Sequence, residues 1–264
     1  MDEFDRLARL FALIAVRAGE AIMKTRTNAC RIGYKTDGLP VTAANIAADE
    51  VIRESLGRNL PGTAVVTENC GHSSPIDVDQ FVLVDPLDGT KEFIRGKDEF
   101  TVNIALVNHR TPVAGAVYAP AMRHLYIGGT NAYRLDVRTN NSTLSFSKMQ
   151  PITVHSGPAD CLRAVVSRTH LDPATKAWVE RHAIKDLRPA GSSLKFCAVA
   201  EGEADVYPRL ARTMEWGTAA GHAVLLAAGG TVIDLTGHPL RYGKPKYRNG
   251  DFVAWGASSP EFAK

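Results

Sequence analysis

Apolar residues at Leu7, Phe11, Ile14, Ala18 and Ile22 recur at spacings of three and four, which predicts a long first helix with one apolar stripe. A second helix is expected after Thr42, with Ile46, Ile52 and Leu56 on its apolar side. Leu-Pro-Gly at 60–62 ends it, because Pro cannot continue the backbone ladder. Residues 63–67 and 81–84 are short β-branched or apolar runs that lead into acidic residues, and they read as strands delivering carboxylates at their ends. From 100 to 127, short apolar runs alternate with Asn-His-Arg and Ala-Pro breaks, a pattern that predicts an antiparallel meander rather than strand–helix–strand repeats.

The polar stretch 136–150 is the expected boundary between an N-terminal α+β half, residues 1–140, and a C-terminal α/β half, residues 150–264, within one compact unit. Beyond it, strands are expected at 163–167, 204–207 and 231–235 and helices at 173–182 and 218–228, which makes that half alternating α/β. No internal repeat has a solenoid or propeller period.

Composition narrows the function classes. The chain has 264 residues, enough for one large domain or two closely packed halves. Its longest apolar stretches, such as 11–16 and 223–228, fall far short of the ~20 residues that span a bilayer. The first residues are acidic and amphipathic, unlike a signal peptide, so a cytoplasmic protein is expected. With 31 basic against 28 acidic residues, scattered rather than clustered, no nucleic-acid groove is indicated. Cys30, Cys70, Cys161 and Cys197 form no Cys-x-x-Cys pair and are expected as free thiols.

The sharpest chemical signal is Asp85-Pro-Leu-Asp-Gly-Thr-Lys-Glu-Phe93, directly after the strand at 81–84. Two carboxylates straddle a turn that Pro86 stiffens, so Asp85, Asp88 and the intervening Leu87 carbonyl can converge on hard cations, which prefer oxygen ligands. Gly89 and Thr90 then offer backbone N–H groups at the start of a short helix, where aligned dipoles favour a phosphate. A cation beside an anion cradle points to phosphate ester chemistry.

This string resembles the DP[IL]DGT signature of the inositol monophosphatase superfamily, and its Lys-Glu-Phe extension resembles the bisphosphate nucleotidase branch. Pro40-Val-Thr-Ala-Ala is similar to the PVTxAD segment, Gly191-Ser-Ser-Leu-Lys-Phe-Cys197 to a motif of that branch, and Trp216-Gly-Thr-Ala-Ala-Gly-His222 to WDxAAGH. The resemblance implies a layered αβαβα sandwich and a magnesium-dependent phosphatase with two or three ions per site. It implies that Glu68, Asp85 and the Leu87 carbonyl bind a first metal, with Asp85 and Asp88 contributing to a second. Glu68 and Thr90 would be catalytic, Thr90 holding the attacking water, and Glu68, Asp88, Gly89 and Thr90 would also meet the substrate phosphate.

Three positions depart from the family pattern. Asn45 stands where PVTxAD has its Asp, Gly217 where WDxAAGH has its Asp, and Asn69 where many relatives have a second Glu. An amide cannot accept a proton at neutral pH, so Asn45 can orient Thr90 but not raise its basicity. Glycine supplies no ligand, so fewer ions are expected to bind, and activity is expected to be impaired.

The nucleotidase branch also implies contacts to adenosine and its second phosphate, here His170, Ser192, Lys195 and Arg209. Lys and Arg give charge-assisted bonds to a non-reacting phosphate, and Arg can also stack on a purine. The implied reaction is removal of the 3′-phosphate of adenosine 3′,5′-bisphosphate to give AMP, as in sulfate assimilation. The alternatives are a catalytically weakened nucleotide-phosphate binding protein and an inositol monophosphatase. Dimers are common among such relatives, so a homodimer is a possible assembly.

Overall fold

The computed structural model describes residues 2–26, 32–34, 40–70, 78–137, 144–155, 161–168 and 171–257. In chain order the first part comprises α1 (Glu3–Arg26), β1 (Ile32–Tyr34), β2 (Pro40–Thr42), α2 (Ala43–Asn59), β3 (Ala64–Thr67), β4 (Gln80–Asp88), α3 (Thr90–Ile94), β5 (Thr101–Asn108), β6 (Thr111–Ala119), β7 (His124–Gly128) and β8 (Ala132–Asp136). The remainder comprises β9 (Gln150–Pro151), β10 (Arg163–Ser167), α4 (Pro173–Arg181), β11 (Asp186–Ala190), α5 (Leu194–Ala200), β12 (Val206–Arg209), β13 (Thr213–Met214), α6 (Ala219–Ala227), β14 (Thr231–Asp234), β15 (Arg248–Asn249) and β16 (Phe252–Trp255).

The larger sheet has seven strands in the order β3-β4-β5-β6-β7-β8-β9, and it is antiparallel except where β3 runs beside β4. The meander expected at 100–127 is β5, β6 and β7. β4 is apolar on both faces, and alternate residues enter different cores. Val82 and Val84 join Phe11, Ile22 and Ile52 of α1 and α2, whereas Phe81 and Leu83 join Phe196 of α5 and Val224 of α6. The second sheet, β11-β10-β12-β16-β14, lays Tyr207, Phe252 and Ala254 on the far side of α5 and α6. Its outer face packs Val166, Val206 and Trp255 against Trp178 of α4. The order is therefore helix, sheet, helix, sheet, helix, because each sheet buries both faces and each helix covers an apolar side.

α2 differs from expectation in one respect. Its buried face carries Ala44, Ala48, Ile52 and Leu56, while Ile46 is 52% exposed. Six residues separate 46 from 52, which at 3.6 residues per turn places them on different sides of the helix. Part of the expected boundary, residues 138–143, lies outside the described residues; after it, β9 returns to the larger sheet through β8. Among the described residues no helix is long and apolar enough to cross a membrane. Cys161 and Cys197 are free thiols.

Candidate active site

β3 and β4 run parallel with Thr67 opposite Val84, so the next residues, Glu68 and Asp85, emerge at the same end of adjacent strands. Glu68 opens a 3-10 turn, and Asp85 is buried. Past Asp85 the register slips: Asp85 lies opposite Asn103 but Asp88 lies opposite Thr101. Three steps along β4 match two along β5, a β-bulge with one extra residue, placed where Pro86 has no N–H to lose from the ladder. Residues three apart on a regular strand point to opposite faces; the bulge brings Asp85 and Asp88 to the same face as Asn103 and Thr101. Gly89 then turns the chain at φ 88° into α3, and a β-carbon there would lie 3.1 Å from the Glu99 carbonyl oxygen, so the position requires glycine.

Beside this turn, Thr42 caps α2 and Asn45, the third residue of the helix, completes the capping box. Its Oδ1 accepts from the Thr42 N–H at 3.0 Å and the Thr42 hydroxyl at 2.8 Å. A backbone N–H can only donate, which fixes the amide with Nδ2 outward. That Nδ2 donates to Thr90 Oγ1 at 3.5 Å, and the Thr90 hydroxyl donates to the Leu87 carbonyl at 3.1 Å. Asn69 Nδ2 donates to the Asn45 carbonyl at 3.5 Å.

The opposite wall comes from the second sheet and α5. Ser192, at φ 51°, and the buried Ser193 both place hydroxyls on Asp88 Oδ2. Lys195 is also buried, and its Nζ donates to the Ser192 carbonyl at 2.6 Å. Burial pulls its pKa down to about 8; the neighbouring Arg209 acts in the same direction and the Asp88 charge opposes both. The Arg209 Nε and Thr213 Oγ1 atoms are buried with no hydrogen-bond partner among the described residues.

These groups line one cleft of about 380 Å3. Glu68, Asp85, Asp88 and Gly89 meet Ser192, Lys195, Arg209 and Gly217 there, so carboxylates and cations line the same cleft. Leu87, Thr90, Asn45 and Asn69 are not among the lining residues; hydrogen bonds link them into one group next to Asp88 and Gly89. His170 lies outside the described residues. Arg212 and Thr213, which sequence reasoning did not single out, also line the cleft, as do Lys91 and Glu92 of the Lys-Glu-Phe extension. A lone Arg or Thr in a sequence carries no signal that would separate it from a surface residue.

The donors are hard oxygens, which suit a cation such as magnesium. There is room beside Asp85: a β-carbon at Gly217 would sit 3.5 Å from Asp85 Oδ2, with no other atom beyond its chain neighbours within 4 Å. Among the described residues, however, no three His, Cys, Asp or Glu side chains gather as a metal-holding group. Glu215 adds no ligand. It is fully buried, accepts from the N–H groups of Gly243 and Lys244, and pairs with Lys244 Nζ at 2.7 Å.

The five-layer α/β fold thus places strand-end carboxylates, Arg209 and the buried Lys195 around one small cleft. The chain belongs to the inositol monophosphatase family, which it matches over residues 4–260. It is 40% identical over 234 residues to the 3'(2'),5'-bisphosphate nucleotidase CysQ of Escherichia coli, covering 87% of this chain and 91% of that protein. The enzyme of that name from Buchnera aphidicola is 37% identical over 234 residues, 87% of this chain and 84% of that protein. Among solved structures, CysQ from Bacteroides thetaiotaomicron superposes with a TM-score of 0.82 at 37% identity, covering 97% of this chain and 99% of that one. An inositol monophosphatase from Anabaena shares the fold, with a TM-score of 0.76 at 23% identity over 97% of this chain and 93% of that one.

Proposed function

We propose that this chain is a magnesium-dependent phosphomonoester hydrolase that removes the 3′-phosphate of adenosine 3′,5′-bisphosphate to give AMP. One observation carries the reading: the cleft that collects Glu68, Asp85 and Asp88 is also lined by buried Lys195 and by Arg209, whose Nε has no hydrogen-bond partner among the described residues. An inositol monophosphate has a single phosphate, whereas a bisphosphate also supplies a second anion for Lys195 and Arg209. A magnesium ion held by Glu68, Asp85, Asp88 and the Leu87 carbonyl would polarise the scissile phosphate and lower the pKa of bound water. Lys195 and Arg209 would hold the distal phosphate by charge-assisted bonds, with Ser192 and His170 beside the nucleoside. Gly89 and Thr90 would receive the reacting phosphate through their N–H groups.

Activity is expected to be lowered by Asn45 and Gly217. The Asn45 amide donates to Thr90 at 3.5 Å where a carboxylate would accept, so the Thr90 proton rests on the Leu87 carbonyl. Three carboxylates leave two magnesium ions under-neutralised until a substrate phosphate adds a charge of about −2. The first ion therefore binds weakly and a second mainly with substrate. The same two residues favour a second reading, a nucleotide-phosphate binding protein with little turnover.

Phosphate release with magnesium separates these readings. The enzyme reading expects kcat/KM for adenosine 3′,5′-bisphosphate to exceed that for inositol 1-phosphate by at least ~10-fold. The reverse preference would make the chain an inositol phosphatase. Release from neither, with nucleotide binding retained, would establish the binding protein.

A further inference from the structure

The buried residues of β5, 101–107, are apolar except for Thr101 and Asn103, both with no exposed surface. Buried polar side chains in a sheet core are costly unless they are hydrogen-bonded. These two stand directly across the ladder from Asp88 and Asp85. Thr101 Oγ1 lies 3.0 Å from Asn103 Oδ1 and 2.5 Å from Ser192 Oγ, and Ser192 Oγ lies 2.5 Å from Asp88 Oδ2. Ser193 reaches the same carboxylate oxygen at 3.2 Å and the Gly217 carbonyl at 3.0 Å.

Counting protons orders this chain of contacts. An ionised carboxylate only accepts, so Ser192 spends its single proton on Asp88. The contact between the two hydroxyls must then be donated by Thr101, whose only proton is thereby used. Asn103 must in turn present an N–H to Thr101, and its buried Nδ2 has no other partner among the described residues. Turning that amide gives each donor one acceptor from Asn103 through Thr101 and Ser192 to Asp88. Asp88 Oδ2 is then held by Ser192, with Ser193 sharing its one proton between that oxygen and the Gly217 carbonyl, and Oδ1 is the oxygen left for the cleft.

We propose that Asn103, Thr101 and Ser192, with Ser193 as a second anchor, are positioning residues that hold one oxygen of Asp88 and aim the other at the cation. The inference rests on the reading of Asp88 as a cation ligand, and the test keeps the two apart. Manganese binding to the purified chain is titrated by electron paramagnetic resonance, alongside the magnesium concentration that half-saturates turnover. Asp88→Asn serves as the control and should weaken manganese binding.

Thr101→Val keeps the shape and removes the hydroxyl; it should weaken manganese binding ~10-fold, as for other groups that orient a ligand. Thr101→Ser keeps the hydroxyl and should stay within about 3-fold of the parent. Ser193→Ala, which leaves one hydroxyl on Oδ2, should fall between them. Equal affinity in Thr101→Val and the parent, with Asp88→Asn impaired, would overturn the relay alone. Loss in Thr101→Ser equal to that in Thr101→Val would also overturn it, since shape rather than the hydroxyl would then matter. Unchanged binding in Asp88→Asn would remove the cation assignment itself, and the relay with it.

Discussion

Asn45 turns an acceptor position into a donor. Its oxygen is committed to Thr42, so only N–H faces Thr90. Restoring a carboxylate by Asn45→Asp would let the Thr90 proton leave the Leu87 carbonyl, and Gly217→Asp would enter the open space beside Asp85. The double variant should raise kcat by at least ~10-fold, since general-base assistance alone is typically worth more. Steady-state phosphate release checks this, and an unchanged kcat would mean that these positions do not limit turnover.

Lys195 makes a separate prediction. Its cation is present below about 8 and lost as pH rises through that value, so kcat/KM for the bisphosphate should fall above pH 8. Lys195→Met should lower kcat/KM and abolish that limb in a pH–rate profile. At this scale the motif strings made Asp85, Asp88, Gly89, Ser192 and Lys195 legible and the family resemblance added Glu68 and Arg209, and all seven line the cleft. Thr101 and Asn103 were not legible, and Ser193 stood in the Gly191–Cys197 string without being singled out. They touch Asp88 or its neighbours rather than the cleft, and in a sequence they read as ordinary strand or loop residues.

The elements place these residues by two devices. One is the bulge at Asp85 to Asp88, which sequence reasoning saw as a stiff turn. The other is the close seating of α6 on the larger sheet: a β-carbon at Gly128 would lie 2.5 Å from Val224 Cα. Gly128→Ala should therefore cost about 1–3 kcal/mol in urea unfolding, because backbone rather than a movable side chain must yield. Glu215 secures the turn that carries Gly217, and Glu215→Gln should cost about 3 kcal/mol by breaking a buried, hydrogen-bonded pair. Since Glu215 is turned to Lys244, manganese affinity of the folded variant should not change.

Long periodic or β-branched segments such as α1, β10 and β14 were legible. β11 and α5 were not. β11 is an edge strand containing Pro189, and α5 is seven residues long and buried almost all round, so neither shows a half-buried periodicity.

The whole molecule stacks two sheets between helices, and the cleft gathers the ends of β3 and β4 from one sheet and of β10 and β12 from the other. The α/β class followed from the alternation of elements. The order of layers came only through the family resemblance, because periodicity says which residues are buried but not which core they enter. Phe81 and Val82 are equally apolar and lie in different cores.

The central claim is that one cleft takes both phosphates of a nucleotide and hydrolyses only the one beside the carboxylates. Phosphorus NMR of adenosine 3′,5′-bisphosphate with the protein and magnesium tests it directly. The account predicts loss of the 3′-phosphate resonance, growth of inorganic phosphate, an intact 5′-phosphate and no reaction after chelation of the metal. Release of the 5′-phosphate, or an unchanged spectrum at high protein concentration, would contradict it.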